Sequence, residues 1–263
     1  MEKLKKIKMF SIINIICFIG MVFVNGLANS LPINGKTTGE LSSQYPNLFT
    51  PAGFTFSIWG IIYLSVGIFT IYGLFCAFTT KELPCRFLNK INIFFAFSCF
   101  ANIGWIFAWH YELVELSVII MFILLFTLGK IYKNLNVENF HKDKKEKYLV
   151  DLPFSIYLGW ISVASIANIS AFLVNIKLQM FALYEVIWTI IMIITAILLG
   201  IIFLFKKNDI FYTLVIDWAL LGILFKRLYD EQIFLSIIIV TAAGLGIITI
   251  LIILQTIKKN FIS

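Results

Sequence analysis

Long apolar runs alternate with short polar segments along the whole chain. Eight runs stand out, at roughly 8–27, 54–78, 89–109, 113–132, 152–174, 180–205, 210–226 and 233–257. Most of them reach the about 20 residues that a helix needs to cross the hydrocarbon core of a bilayer. The pattern therefore predicts an all-α integral membrane protein with eight transmembrane helices. The first run follows a lysine-rich start, as a signal peptide would, but it is long for one, and we interpret it as a retained helix.

The composition excludes a soluble protein. Apolar and aromatic residues make up 60% of the 263 residues and charged residues only 13%, whereas about a quarter of a soluble domain is charged. The net charge of +7 would suit a nucleic-acid partner, but the basic residues lie between the apolar runs, as juxtamembrane charges do. We therefore expect the lipid bilayer as a partner and no nucleic acid.

The positive charges also predict the orientation. If all eight runs span the membrane, 17 Lys and Arg residues fall in one set of connecting segments and 4 in the alternate set. Cytoplasmic segments carry the excess of positive charge, so both termini are predicted to lie in the cytoplasm, with the protein in the bacterial plasma (inner) membrane. Residues 28–53 then form the long extracytoplasmic loop, and residues 133–149 a basic cytoplasmic loop. The cytoplasmic set is Lys3, Lys5, Lys6, Lys8, Lys81, Arg86, Lys90, Lys130, Lys133, Lys142, Lys144, Lys145, Lys147, Lys206, Lys207, Lys258 and Lys259, and the other set is Lys36, Lys177, Lys226 and Arg227.

Aromatic residues recur at helical spacing at the start of the second run. Pro51 fits the first turn of a helix, where its missing N–H is harmless. Phe56, Trp59 and Tyr63 follow at three- and four-residue intervals, which places them on one face of a helix. An interfacial aromatic belt occupies a single depth, whereas this stripe continues over successive turns. The stripe therefore indicates a face that meets a ligand or another helix.

Two later runs carry polar and aromatic residues of the same kind. Asn102 and Trp105 share a helical face in the third run, and a carboxamide inside a span is costly unless a partner meets its hydrogen bonds. The fifth run has a continuous stripe whose small member allows a helix or a ligand to approach closely. This stripe comprises Pro153, Tyr157, Trp160, Ala164 and Asn168.

Together, the three stretches resemble the TspO/translocator-protein family, also called tryptophan-rich sensory proteins. Pro51, Trp59 and Tyr63 match the family motif that leads into its second helix, with Phe56 one position off the family spacing. Asn102 and Trp105 match the N-x-x-W pattern of a later helix. The fifth-helix motif is followed in order by Pro153, Trp160, Ala164, Asn168 and Asn175, with Phe154 where the family has Tyr and Ala167 where it has Leu.

The motifs cover about residues 8–175, the five-helix unit of the family. The resemblance thus implies an extended form of two parts, a TspO-like five-helix bundle over 1–178 and a three-helix extension over 179–263. The paired prolines of the family loop are reduced to Pro51 followed by Ala52. The basic residue of the segment linked to sterol binding in animal relatives is missing between Asn168 and Asn175, so sterol recognition is not expected.

The resemblance implies an aromatic cavity for flat hydrophobic ligands such as porphyrins. No cofactor is required under this hypothesis, and a tetrapyrrole would be a ligand. The alternative is that the aromatic residues only pack the bundle. Enzymatic activity stays open but is not favoured, because the chain lacks a nucleophile with a base and a His/carboxylate constellation. The predicted ligand-binding residues are Pro51, Phe56, Trp59, Tyr63, Asn102, Trp105, Tyr157, Trp160, Ala164 and Asn168.

A small-molecule transporter is the second hypothesis, and it rests on Asp217. This residue lies in the middle of the seventh run, where a charge costs at least about 2.5 kcal/mol unless it is paired or hydrated. The small residues 242–246 of the eighth run are expected to pack against another helix of the chain or a partner, which leaves monomer and homodimer open. No metal site is predicted. The cysteines Cys17, Cys76, Cys85 and Cys99 are interpreted as apolar fillers and one loop thiol, and His110 and His141 lack metal-ligand spacing.

Overall fold

The computed structural model of the protein describes residues 2–30, 33–79, 86–91, 93–135 and 144–262. Every regular element in these ranges is helical. Part of the predicted 133–149 loop lies outside the described residues. So do Lys81 and Lys142 of the cytoplasmic set, together with Cys85 and His141.

Long helices joined by short helical turns form the body of the described chain. A 3₁₀ turn at Ile33–Gly35 and another at Gly53–Ser57 flank α2, and a π-helical turn at Lys147–Asp151 leads into α8. Pro153 lies in the first turn of α8, where it costs no hydrogen bond. The helices are α1 (Glu2–Ser30), α2 (Thr38–Ser43), α3 (Ile58–Thr79), α4 (Arg86–Ile91), α5 (Phe94–His110), α6 (Val114–Leu135), α7 (Lys144–Glu146), α8 (Leu152–Asn175), α9 (Gln179–Leu183), α10 (Glu185–Lys206), α11 (Ile210–Leu228) and α12 (Leu235–Ile262).

Six helices of the described chain are long and apolar enough to cross a membrane, namely α1, α3, α6, α8, α10 and α12. Helix α5 is apolar but has only 17 residues. Helix α11 has 19 residues and carries the charged residues Asp217, Lys226 and Arg227. The architecture is therefore that of a helical membrane protein, and the count of eight spans stays a prediction.

Five of the long helices close into a ring. Helix α1 contacts α3 and α5, α5 contacts α6, α6 contacts α8, and α8 returns to α3. One end of the ring interior is filled by Phe69, Phe95 and Phe154, whose rings meet edge to face with centroids 4.9–6.0 Å apart. Aromatic rings in this arrangement pack closely and stabilise the ring of helices at this end. The other end carries the loop between α1 and α3.

The last three long helices pack on one another and attach to the ring through α11. Helices α10, α11 and α12 are in mutual contact, and α11 lies along α8 and reaches the Gly53–Ser57 turn. Gly159 lets α8 and α11 approach closely, since a Cβ there would lie 3.1 Å from the Cβ of Val215. Their division from the ring near residue 178 stays a prediction.

The small residues of α12 differ in their burial. Gly244 is buried against Ile197 of α10, where any side chain would collide. Ala242, Ala243 and Gly246 are exposed on the described chain. The expected close contact is therefore made by Gly244 alone, because a helix presents only every third or fourth residue to one neighbour.

A buried carboxylate joins the tail to the ring at the α11 N-terminus. Asp209 caps α11 by accepting the N–H of Tyr212 through Oδ1 at 3.1 Å. Its Oδ2 accepts hydrogen bonds from the hydroxyls of Tyr132 in α6 (2.9 Å) and Ser155 in α8 (2.6 Å). Charge-assisted hydrogen bonds of this kind are the stronger ones in proteins, so one residue holds three helices in register.

Candidate ligand-binding cavity

An aromatic cavity lies inside the ring, beneath the 33–53 loop. Helices α3, α5 and α8 and the Gly53–Ser57 turn supply its walls, and its free volume is about 60 Å³. We call it the aromatic cavity below. The lining residues are Thr38, Ser42, Asn47, Thr50, Pro51, Phe56, Trp59, Trp105, Trp109, Trp160, Val163, Ala164, Ala167, Asn168 and Ala171.

Tryptophans of three helices meet at this cavity. Trp59 of α3 and Trp160 of α8 pack edge to face with ring centroids 6.2 Å apart. Trp105 of α5 stacks on Trp109 at 5.8 Å. Trp59 also stacks on Tyr63 at 5.3 Å. Because their stripes face inward, helices distant in sequence bring these rings around one space.

A second cavity of about 370 Å³ adjoins the first on the α1 side. It shares Thr38, Phe56, Trp59 and Trp105 with the aromatic cavity, so only these side chains separate the two spaces. Ligand sites for drug-sized molecules have volumes of roughly 300–1,000 Å³. The second cavity reaches this range by itself, whereas the aromatic cavity reaches it only if the two are joined. The remaining walls of the second cavity are Asn25, Asn29, Thr37, Gly39, Gly53, Tyr63 and Ile106.

The predicted site residues divide into two groups. Seven of the ten line the aromatic cavity and Tyr63 lines the second one, but Asn102 and Tyr157 line neither. Asn102 is fully buried, accepts a hydrogen bond from Nδ2 of Asn25 (2.7 Å) and donates one to the Tyr157 hydroxyl (2.9 Å). This pair belongs to a network between α1, α5 and α8, because a buried carboxamide needs partners that apolar helices cannot offer. The group at the aromatic cavity is Pro51, Phe56, Trp59, Trp105, Trp160, Ala164 and Asn168.

The polar atoms at the cavity walls differ in their hydrogen bonding. The indole N–H of Trp105 donates to Oδ1 of Asn168 at 2.9 Å, and Nδ2 of Asn168 donates to the Ser117 hydroxyl at 2.9 Å. The indole N–H of Trp160 is buried and meets no hydrogen-bond partner in the described chain, whereas the hydroxyl of Tyr63 lies within hydrogen-bond reach of the Asn102 side chain. An unpaired buried donor costs about 1–3 kcal/mol. The N–H of Trp160 is therefore the donor at these walls that can bind a polar atom without losing another partner.

The 33–53 loop is fastened over the cavities at several points. His110 is fully buried at the end of α5, with Nδ1 3.0 Å from the Ile33 carbonyl and Nε2 3.1 Å from the Thr38 hydroxyl. Lys36 forms an ion pair with Glu112 at 2.7 Å. Since a carbonyl oxygen only accepts, Nδ1 of His110 carries a proton. Spacing along the chain could not reveal this role, because His110 is more than 70 residues away from its loop partners.

Two further features hold the loop's shape. Oδ1 of Asn47 accepts the N–H groups of Phe49 (3.1 Å) and Thr50 (3.0 Å), which is the turn that asparagine favours. The Glu40 side chain closes a capping box on Thr37 at the start of α2, and the hydrogen bonds from Thr37 lower the pKa of this carboxyl. Burial, assisted by the negative charge of Glu112, raises the pKa of the Tyr45 hydroxyl.

Asp217 lies apart from these cavities, between α11 and α12. Its Oδ2 accepts a hydrogen bond from the Thr249 hydroxyl at 2.9 Å, and its Oδ1 is buried without a partner in the described chain. It lines neither the aromatic cavity nor the second cavity. The carboxyl is thus half-buried within the tail.

The state of Cys76 differs from our interpretation of the sequence. Cys17 and Cys99 are free, whereas Cys76 is disulfide-bonded and is not the simple apolar filler of our interpretation. Within the described ranges, no three His, Cys, Asp or Glu side chains come together as metal ligands.

The fold and the site define a class, the multi-pass helical membrane proteins with an aromatic cavity inside the helix ring. A family model described as TSPO-like protein matches residues 11–255. The chain therefore belongs to the TSPO-like protein family. The match continues through α10, α11 and α12, beyond the residues 8–175 that carry the motifs. No curated protein and no solved structure matches the chain.

Proposed function

We propose that this protein is a membrane-embedded binding or sensory protein whose aromatic cavity takes flat hydrophobic ligands such as porphyrins. The observation that carries the proposal is the meeting of Trp59, Trp105 and Trp160 at one cavity. Indole faces stack on flat π-systems, and sparse polar groups among apolar walls are usual for small-molecule sites. Family membership supports the same ligand class.

Binding of a tetrapyrrole requires the two cavities to merge. The aromatic cavity has about 60 Å³ and its neighbour about 370 Å³, and the side chains of Phe56 and Trp59 stand between them. Phe56 belongs to the 3₁₀ turn at Gly53–Ser57 and is only half-buried. Rotation of Phe56, with a small shift of its turn, is the least costly way to open the wall.

Porphyrin titration of the purified protein, followed by quenching of tryptophan fluorescence, tests the proposal. We expect saturable quenching in the wild type and weaker binding in Trp59→Leu and Trp160→Leu, with both variants inserted and folded. Trp188→Leu on α10 is the matched control, because this indole is exposed on the described chain. Equal affinity in all four proteins would support the packing alternative.

We further propose an eight-span topology with both termini in the cytoplasm of the bacterial plasma membrane. The split of 17 to 4 positive charges supports it. The long helices support it as well, since α5 and α11 lie alongside the apolar helices of the ring and the tail. The short lengths of α5 and α11 are compatible with crossing a locally thin bilayer.

Transport through Asp217 is the second candidate function. The buried Oδ1 of Asp217, which meets no partner within the described ranges, favours it, because an intramembrane carboxyl is a common feature of proton-coupled pathways. Measurement of ligand flux across the membrane of proteoliposomes decides between the two candidate functions, binding and transport. Loss of flux in Asp217→Asn with unchanged porphyrin affinity would establish transport, and absence of flux in the wild type would exclude it.

A further inference from the structure

Two more cavities lie on the loop side of the molecule, between the 33–53 loop and the end of α11. The first has a free volume of about 560 Å³ and the second about 500 Å³. We call them the outer chambers. Both are lined by Ser42, Ser43, Thr50, Lys226 and Asp230.

The first outer chamber is next to the aromatic cavity. Ser42, Thr50, Pro51 and Phe56 line both spaces, so a single layer of side chains separates them. Phe56 is the same residue whose rotation would merge the aromatic cavity with its neighbour. The chamber is therefore a route by which one end of a ligand held by the tryptophans reaches α11.

Lys226 makes no ion pair in these chambers. Its side chain is half-buried, and among the described residues no carboxylate oxygen lies within ion-pair distance of it. Removing an ammonium group from water is costly unless an opposite charge compensates it. The negative charge of Asp230 acts on Lys226 only from beyond ion-pair distance, so the ammonium group keeps its hydrogen-bonding capacity for an anionic group.

Three of the four carboxylates that line the chambers make contacts with other groups. Asp230 pairs with Nη1 of Arg227 at 2.6 Å. Glu40 accepts the N–H and hydroxyl of Thr37 at 2.7 and 2.9 Å, and Glu185 accepts the N–H of Leu48 at 3.1 Å. Glu231 is exposed and lines only the second chamber.

Arg227 adds a second donor to the same place. It lines the second chamber and is only 4% exposed, yet its Nε is buried and meets no hydrogen-bond partner in the described chain. A guanidinium group donates through several N–H groups in one plane, so the pair with Asp230 leaves capacity for another acceptor.

We infer that Lys226, supported by Arg227, forms an anion subsite at the mouth of the aromatic cavity, and that the ligand is a flat apolar molecule with an anionic group at one end. The inference rests on the proposed function. Under this inference, helix α11, which lies outside the motif-bearing unit, helps to determine which ligand binds. The apolar body lies among the tryptophans, and a carboxylate or a similar group accepts hydrogen bonds from Lys226.

Two probes that share the porphyrin ring and differ in charge test the subsite, protoporphyrin IX with two carboxylates and its neutral dimethyl ester, which carries two added methyl groups. Their affinities are measured for the wild type, Lys226→Gln, Lys226→Arg and the control Lys177→Gln. Lys177→Gln removes an equal charge from another loop on the predicted same side. We expect Lys226→Gln to weaken binding of the acid on the order of tenfold, as for loss of one charge-assisted hydrogen bond. Binding of the ester should not change, and Lys226→Arg and Lys177→Gln should bind the acid as the wild type does.

Two other outcomes would refute either the anion subsite alone or the proposed function as well. If Lys226→Gln binds the acid as tightly as the wild type, or loses acid and ester equally, the anion subsite is refuted and the proposed function stands. If the wild type binds neither probe saturably, the proposed porphyrin-binding function is refuted, and the subsite with it.

Discussion

At the scale of single residues, two of the cavity tryptophans, Trp105 and Trp160, differ in the hydrogen bonding of their indole N–H groups. The N–H of Trp105 is paired with Asn168, whereas the N–H of Trp160 has no partner among the residues that the structure describes. Trp160 nonetheless keeps its ring contacts, edge to face with Phe56 at 5.9 Å and with Trp59 at 6.2 Å. The two indoles therefore contribute differently to stability and to binding.

Replacing each of these tryptophans by phenylalanine should lower stability to different extents. Trp105→Phe removes the donor to Asn168 and should destabilise the protein by about 1–3 kcal/mol. Trp160→Phe removes an unpaired donor, so the loss of stability should be smaller, while porphyrin affinity falls severalfold. Thermal unfolding in detergent and the quenching titration measure the two quantities. A larger stability loss in Trp160→Phe would show that its N–H is already bonded in the free protein.

The sequence predicted the cavity residues better than the residues around them. Helical spacing was enough to bring Trp59, Trp105 and Trp160 to inward faces. It could not separate Asn102, which serves a hydrogen-bond network, from Asn168, which lines the cavity. The difference depends on Asn25 and Tyr157, the partners that two other helices place beside Asn102, and spacing within one helix carries no information about them.

At the scale of elements, the 33–53 loop is organised by the capping box at the start of α2. The Glu40 carboxylate accepts the N–H and hydroxyl of Thr37, which lowers its pKa below the ordinary 4.5. A carboxyl whose pKa is lower in the folded loop stabilises it above the unfolded value, and this contribution is lost as the pH falls through the folded value.

Acidification should therefore loosen the start of α2. We expect hydrogen-exchange protection of residues 38–43, corrected for intrinsic rates, to be constant above the ordinary pKa of 4.5 and to decrease at lower pH. Glu40→Gln keeps a neutral acceptor and should show no such decrease. An equal decrease in the variant would assign the effect to another group.

The tail is attached to the loop side through one glycine. Gly222 of α11 lies directly against Thr55, its carbonyl accepts the N–H of Ala52 at 3.0 Å, and Trp218 donates to the Thr55 carbonyl at 3.0 Å. A close helix contact was predicted for the small residues 242–246 but not for Gly222. An isolated glycine in a helix does not reveal which neighbour approaches it.

Substitution at Gly222 should separate α11 from the turn that carries Phe56. Gly222→Leu is expected to lower thermal stability by several kcal/mol through steric overlap and to weaken porphyrin binding as the turn shifts. Gly246→Leu on the exposed face of α12 is the control, since its Cβ would meet no atom. Loss of stability with unchanged affinity would show that the turn is independent of α11.

At the scale of the whole molecule, the apolar runs predicted a helical membrane protein, which the long apolar helices confirm, but the number of spans stays a prediction. Six helices meet the length and hydropathy that a span requires. Helix α5 is shorter than these six helices, and helix α11 is more charged. The polar or charged residues of both helices pack within the protein. The charge distribution is the independent argument for their crossing the bilayer.

Labelling of single-cysteine variants tests the topology. A cysteine at Lys36 should react with a membrane-impermeant reagent added outside, and one at Lys145 should not. A cysteine at Lys177 should also react, because an even number of spans separates it from Lys36. Reaction of the cysteine at position 145 in intact cells would show that the orientation is the reverse of the predicted one. Protection of the cysteine at position 177 would show that the number of spans before it differs from the predicted number.

The most direct test of the central claim fills the aromatic cavity without removing any of its contacts. Ala164 lines the cavity on α8, and Ala242 is exposed on α12, so Ala164→Phe and Ala242→Phe add the same volume at two places. Porphyrin affinity of the two variants is the measurement, with thermal stability as the check on folding. We expect Ala164→Phe to lose porphyrin binding at least tenfold, equivalent to about 1.4 kcal/mol, and Ala242→Phe to bind as the wild type does. Wild-type affinity in a folded Ala164→Phe would contradict ligand binding in the aromatic cavity.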